Sequence, residues 1–279
     1  MRPVVPLCRF EVFADGLDHP EGLAFDRDGD LWAGGEAGQI YRINAQGCVR
    51  EVTVLGGFCL GLTFSARGEL WVCNSKLHAL LRLDRKGRVL ACYERACGRP
   101  IATPNFVVFD RAGNLYLSDS GEWRKDNGFV YRLRSNGKID QIAGPLAFPN
   151  GMALSADERW LYVVQSTRDN VVRIALEPDG GRGRPQVFAR GLARVPDGAA
   201  FDARGNLYVT CYASDTVYRV SPRGKVSLFA YDPAGTMIAR PTNAAFLPGS
   251  DHIYLANLGR WHICRARIGV EGQPLVHQG

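Results

Sequence analysis

The chain has 279 residues, 46% hydrophobic and 22% charged, and its 34 basic and 28 acidic side chains leave a formal charge of +6. That balance supplies a full core and excludes a disordered polymer, and no apolar run approaches the roughly 18 residues that a membrane-spanning helix needs. The basic residues are scattered singly, without a basic helix or a basic run alternating with aromatics, so neither nucleic acid nor membrane is an expected partner.

The first ten residues lack the apolar stretch and cleavage site of a secretory signal, which makes the cytoplasm the expected location. The eight cysteines include no Cys-x-x-Cys pair and are expected as free thiols. The first patterned segment, 11–17, reads Glu-Val-Phe-Ala-Asp-Gly-Leu and parallels Gln-Val-Phe-Ala-Arg-Gly-Leu at 186–192. It is expected as an outer strand donated to the last unit of a ring, with 273–277 as the alternative for the same slot.

From there the chain repeats itself. Six segments each carry a turn, one marked residue, a short apolar run and then an aliphatic–aromatic pair. The marked residues are Glu21, Leu60, Asn105, Asn150, Asp197 and Thr242, spaced 39, 45, 45, 47 and 45 residues apart. That period is one small antiparallel sheet per repeat. Turns at Asp28-Gly29, Arg67-Gly68 and Arg204-Gly205, and again at Gly47, Gly87 and Gly224, fall where positive φ is easiest for glycine. The third repeat reads as strands at 106–109, 114–118, 128–133 and 139–142. Helical periodicity is nowhere sustained, so the expected fold is all-β: a single-domain, six-bladed propeller of four-stranded blades over 1–279. The pairs Leu31-Trp32, Leu70-Trp71, Leu161-Tyr162, Leu207-Tyr208 and Ile253-Tyr254 begin second strands, their aromatics expected to pack between blades. The Gly-Gly-Arg-Gly-Arg cluster at 180–184 is expected as a solvated loop.

In a propeller the residues before each first strand converge on one mouth of the central channel. Glu21, Asn105, Asn150 and Asp197 would meet there as two carboxylates and two amide oxygens, a hard, oxygen-only set of charge about −2 that suits a divalent cation. Calcium fits first, magnesium or manganese next, and zinc less well. A second set, following the second strands, comprises Gly35, Asn74, Asp119, Gln165, Cys211 and Asn257. The loop 120–128 is expected as the longest at this mouth, and its Glu122 and Trp123 are candidates for substrate selection. Asn74 and Gln165 are further candidates for substrate contact.

Pro-Glu-Gly-Leu-Ala-Phe-Asp at 20–26, Pro-Asn-Gly-Met-Ala-Leu-Ser at 149–155 and Pro-Asp-Gly-Ala-Ala-Phe-Asp at 196–202 together resemble the senescence marker protein, gluconolactonase and luciferin-regenerating-enzyme family over essentially the whole chain. The resemblance implies a catalytic divalent metal held by Glu21, Asn150 and Asp197, with Asn105 contacting metal or substrate. Sugar-lactonase members commonly read Arg-Pro-Asn-Asp where this chain has Thr103-Pro104-Asn105-Phe106, so Thr103 and Phe106 are expected to favour a less hydroxylated or differently charged lactone. No histidine aligns with the channel mouth in the manner of the phosphotriesterase relatives of that family, and His262 is assigned to packing. The expected activity is metal-assisted lactone hydrolysis, in which the ion polarises the carbonyl, Asp197 or secondarily Asp119 is the general base, and Glu21 neutralises charge. Organophosphate hydrolysis, another reaction on the same site, and a non-catalytic calcium-binding propeller are the alternatives. A small molecule is the expected partner, and the chain a monomer or weak homo-oligomer.

Overall fold

The computed structural model describes residues 3–177 and 183–274. Among these the chain folds into six four-stranded antiparallel sheets set in a ring, a six-bladed β-propeller. Glycine and Asp-capped turns fold each repeat back three times. The second blade runs Cys59–Phe64, Leu70–Asn74, Ala79–Leu83 and Val89–Tyr93 from the axis outward. The third runs Pro104–Phe109, Leu115–Asp119, Gly128–Leu133 and Ile139–Leu146. Its inner strand therefore takes in Pro104 and Asn105, which the sequence pattern had assigned to the preceding turn.

Ring closure falls to the N-terminus. Phe10–Asp15 pairs with His262–Arg267 as the outer strand of the sixth blade, Phe10 opposite Ala266 and Asp15 opposite His262. The C-terminal alternative takes a different path beneath the fifth blade. There Ala203 N–H donates to the Glu271 carbonyl (2.8 Å) and Gln273 N–H to that of Phe201 (3.0 Å). Residues 275–277 of that alternative, and most of the 180–184 cluster, lie outside the described residues.

Between blades the core is aromatic. In five of the six blades the second-strand aromatic meets the inner-strand phenylalanine of the next blade edge to face: Trp32 with Phe64, Trp71 with Phe109, Tyr162 with Phe201, Tyr208 with Phe246 and Tyr254 with Phe25, at centroid separations of 5.4, 5.9, 5.0, 5.5 and 5.1 Å, while Tyr116 packs with Met152 and Leu154. Such geometry adds roughly 0.5–1.5 kcal/mol per pair beyond burial, so the ring is locked at the blade interfaces. Asp26 ties two jobs together, accepting the Trp32 indole N–H (3.0 Å) and capping its own turn through the Asp28 and Asp30 amides. The lower channel encloses an apolar cavity of about 150 Å3 walled by Phe64, Phe106, Phe109 and Met152 and bounded below by Gln273. All eight cysteines are free, with Cys59, Cys73, Cys211 and Cys264 buried. No helix among the described residues is long and apolar enough to cross a membrane.

Candidate functional site

Five of the six inner strands slip register against their second strands, between Cys59 and Leu62, Pro104 and Phe106, Pro149 and Met152, Pro196 and Ala199, and Pro241 and Asn243. Leu60, Asn105, Asn150, Asp197 and Thr242 all lie inside these bulges, and a bulge frees a residue from the ladder and re-aims its side chain. Glycine follows the marked residue in four blades for a steric reason. A Cβ on Gly22, Gly61, Gly151 or Gly198 would come within 2.2, 2.6, 2.4 or 2.5 Å of the carbonyl oxygen of the next blade's marked residue. The glycines thus let six backbones close into one tight collar. Hydroxyls then bind the freed carbonyls: Ser118 Oγ donates to Asn150 (2.9 Å), Thr210 Oγ1 to Thr242 (2.9 Å) and Thr242 Oγ1 to Glu21 (3.0 Å), each across a blade boundary.

Glu21, Asn105, Asn150 and Asp197 are all buried at this collar. Burial pushes the Glu21 carboxyl well above its ordinary range, and the nearby Asp197 charge pushes it further. Asp197 is raised by the same desolvation, partly offset by a hydrogen bond from Asn150. Asn150 also donates Nδ2–H to Ser166 Oγ at 3.2 Å, which orients its amide. Glu21 Oε2, Asn105 Oδ1 and Asn150 Oδ1 are buried with no donor. Two like-charged acids and three unsatisfied oxygens in one buried place are electrostatically incomplete.

The second set does something else. Asp119 accepts backbone N–H bonds from Ala102 (3.0 Å), Thr103 (2.7 Å) and Gly121 (3.3 Å), so its carboxylate fixes the approach to Asn105. Asn74 accepts from Leu77 N–H (3.0 Å) and donates to Gly56, and Gln165 accepts from Ala147 N–H (2.9 Å) and donates to Asn170. Asn257 likewise accepts from Ala239 N–H at 2.9 Å. These hydrogen bonds clamp the loops leading into the collar, and Asn74 and Gln165 are held in them. Phe106 lies one step below the collar in the channel wall. Thr103 Oγ1 donates to Gly121 (2.9 Å) at the rim. Trp123, 48% exposed, meets Phe148 edge to face at 4.9 Å, while Glu122 is bonded within its own loop to Lys125 and Asn127. The loop 120–128 is not the longest at the mouth, because 94–103 is longer and folds a small hairpin, Arg95–Ala96 on Arg99–Pro100. His262 is buried, with Nε2 3.0 Å from the Met237 carbonyl.

Two features escaped the sequence pattern. Four residues preceding the collar prolines, His19, Phe148, Val195 and Arg240, have left-handed φ of 42, 53, 57 and 48°, a strained conformation for any side chain and more so before proline. One of them is a histidine at the mouth: His19 Nδ1 lies 2.9 Å from Asp18 and 3.3 Å from Glu36. The sequence signal was present in the repeated residue–proline step, but its backbone conformation is not readable from composition.

The SMP-30/Gluconolactonase/LRE-like region family matches residues 56–256, and a strictosidine synthase-like N-terminal family matches 10–43. A gluconolactonase of Zymomonas mobilis is 31% identical over 59% of this chain, and the match spans 52% of that protein. Lactonase drp35 of Staphylococcus aureus is 27% identical over 96% of this chain and 84% of its own. Among solved structures, the calcium-binding protein regucalcin of Agrobacterium tumefaciens superposes with a TM-score of 0.76 at 18% identity, covering 98% of this chain and 97% of its own, a likeness of fold. With the family match spanning most of the propeller, the chain belongs to the SMP-30/gluconolactonase/LRE-like family.

Proposed function

We propose that this chain is a divalent-metal-dependent hydrolase that opens lactones or similar cyclic esters. The observation that carries the reading is the set of buried oxygens to which nothing donates, Glu21 Oε2, Asn105 Oδ1 and Asn150 Oδ1, beside the Asp197 carboxylate. Each unsatisfied group costs on the order of 1–3 kcal/mol, and the two acids repel. Water would satisfy the acceptors but leave the like charges facing each other, whereas a divalent cation relieves both. The donors are all oxygen, which favours calcium, then magnesium or manganese, over zinc. The calcium-binding relative supports the same ion.

Glu21, Asn150 and Asp197 would hold the ion with Asn105 beside them, and the bound ion would supply Lewis-acid polarisation of the ester carbonyl. Asp197 takes the proton of the attacking water as the new C–O bond forms. When the ring C–O bond breaks, that proton passes to the departing alkoxide, so one water is consumed and one hydroxy acid is released. Glu21 stays ionised and balances charge, while the Asn105 amide aligns the ester. The lactonase and gluconolactonase relatives support this substrate class. A hydrolysis screen over aliphatic, aromatic and sugar lactones, with an aryl phosphotriester as an organophosphate arm, tests the proposal. Turnover of at least one lactone should vanish with chelator and return with calcium. Tight calcium binding with no turnover would overturn the catalytic reading in favour of an ion that only staples the channel.

A further inference from the structure

The mouth above the collar is chemically lopsided. Over the second to fourth blades its rim is formed by Phe58, Thr103, Trp123 and Phe148, three of them aromatic. Over the fifth, sixth and first blades, which carry Asp197, Thr242 and Glu21, lies a polar cleft of about 510 Å3 lined by His19, Glu36, Tyr212, Asp215, Arg240 and Arg260. The cleft's carboxylates are already engaged: Glu36 lies 3.3 Å from His19, and Asp215 Oδ1 accepts the backbone N–H of Arg240 at 2.6 Å. Neither guanidinium forms an ion pair among the described residues.

Arg240 is the better placed of the two. It occupies in the sixth blade the pre-proline position that Thr103 holds in the third, and its left-handed φ of 48° fixes the departure of its side chain at the collar's edge. Its guanidinium lies 5.5 Å from the Tyr212 ring centroid and donates to Tyr212 Oη at 3.2 Å. Tyr212 in turn donates its N–H to the Val195 carbonyl at 2.9 Å, two residues before Asp197. The side chain is therefore drawn back over the blade that carries the proposed base, with donors of its planar fork still available.

We infer that Arg240 is a specificity-determining residue, and that the substrate is a lactone bearing a carboxylate. The carboxylate docks on the Arg240 guanidinium while the less polar part of the molecule lies against the Trp123 and Phe148 side. This rests on the lactonase reading above and names the substrate class for that same site.

The matched probes are 5-oxotetrahydrofuran-2-carboxylate and γ-valerolactone, the same ring with carboxylate or methyl. Wild-type protein should favour the carboxylated lactone by roughly tenfold or more in kcat/KM, the scale of one charge-assisted bidentate contact. Arg240→Met, which keeps the stem, should cut that ratio about tenfold through KM with little change in kcat, and Arg240→Lys should restore part of it. A wild-type preference for γ-valerolactone, or an Arg240→Met ratio equal to wild type, overturns the assignment. If neither lactone is turned over, the wider lactone screen decides on the lactonase reading by itself, and calorimetry with the ring-opened product 2-hydroxyglutarate decides on Arg240. Binding weakened about tenfold in Arg240→Met supports the carboxylate site, and no binding or equal binding refutes it.

Discussion

Asp197 was the first candidate for the base and Asp119 the second, and their hydrogen bonds differ in the same sense. Three backbone N–H groups hold Asp119, whereas Asp197 is buried beside Glu21 with only an amide for company. Asp197→Asn keeps an oxygen donor and cannot take a proton, so the variant should still bind calcium in a calorimetric titration while kcat falls by about a hundredfold or more. Near-normal turnover with calcium bound would remove Asp197 from the base role. The marked residues were legible because they recur at one position in six repeats. The partners that hold Asp119, Asn74 and Gln165 were not, because a side chain's free valence depends on loops brought close only by the fold. His19 and Arg240 stayed hidden for a related reason: the chain announces the proline after them, not the backbone twist that turns them to the rim.

At the level of the strand, alternating apolar residues and Gly turns read directly as four-stranded blades, and the aromatic interfaces followed from the repeated pair at the second strand. The Pro-x-Gly step, however, looks like a turn and is a bulged strand. A one-residue slip moves every later side chain to the other face without altering composition. The glycine after four of the six marked residues is the part of this device that can be tested. Gly151 does not have positive φ, so alanine is conformationally allowed there, yet its Cβ would sit 2.4 Å from the Asp197 carbonyl oxygen. Gly151→Ala should lose roughly 1–3 kcal/mol in urea unfolding, the usual scale for overpacking, and should bind calcium more weakly because the collar opens at Asp197. Wild-type stability with wild-type calcium affinity would mean that the collar is not sterically set.

For the whole ring, closure by the N-terminal strand and locking by edge-to-face aromatics leave little freedom at the axis, so the collar oxygens converge whether or not an ion is present. The cost of that convergence should appear as a pH-dependent stability. Without a cation, desolvation raises Glu21 and pushes Asp197 up to about 8, so the folded chain holds protons that the unfolded chain has already released. The stability these protons confer is complete below about pH 4, where the unfolded carboxyls are also protonated. It is lost as pH rises through the folded values toward about 8. Calcium reverses the sign, because the ion binds the ionised pair and protons compete with it. The gap in Tm between calcium-loaded and chelated protein should therefore widen steadily from about pH 5 to about pH 8, and thermal unfolding with and without chelator across that range measures it. The double variant Glu21→Gln with Asp197→Asn should flatten the pH slope of the chelated protein, since neither side chain then titrates. A gap that does not grow with pH, or a slope that survives the double variant, would place the origin of the effect outside the collar.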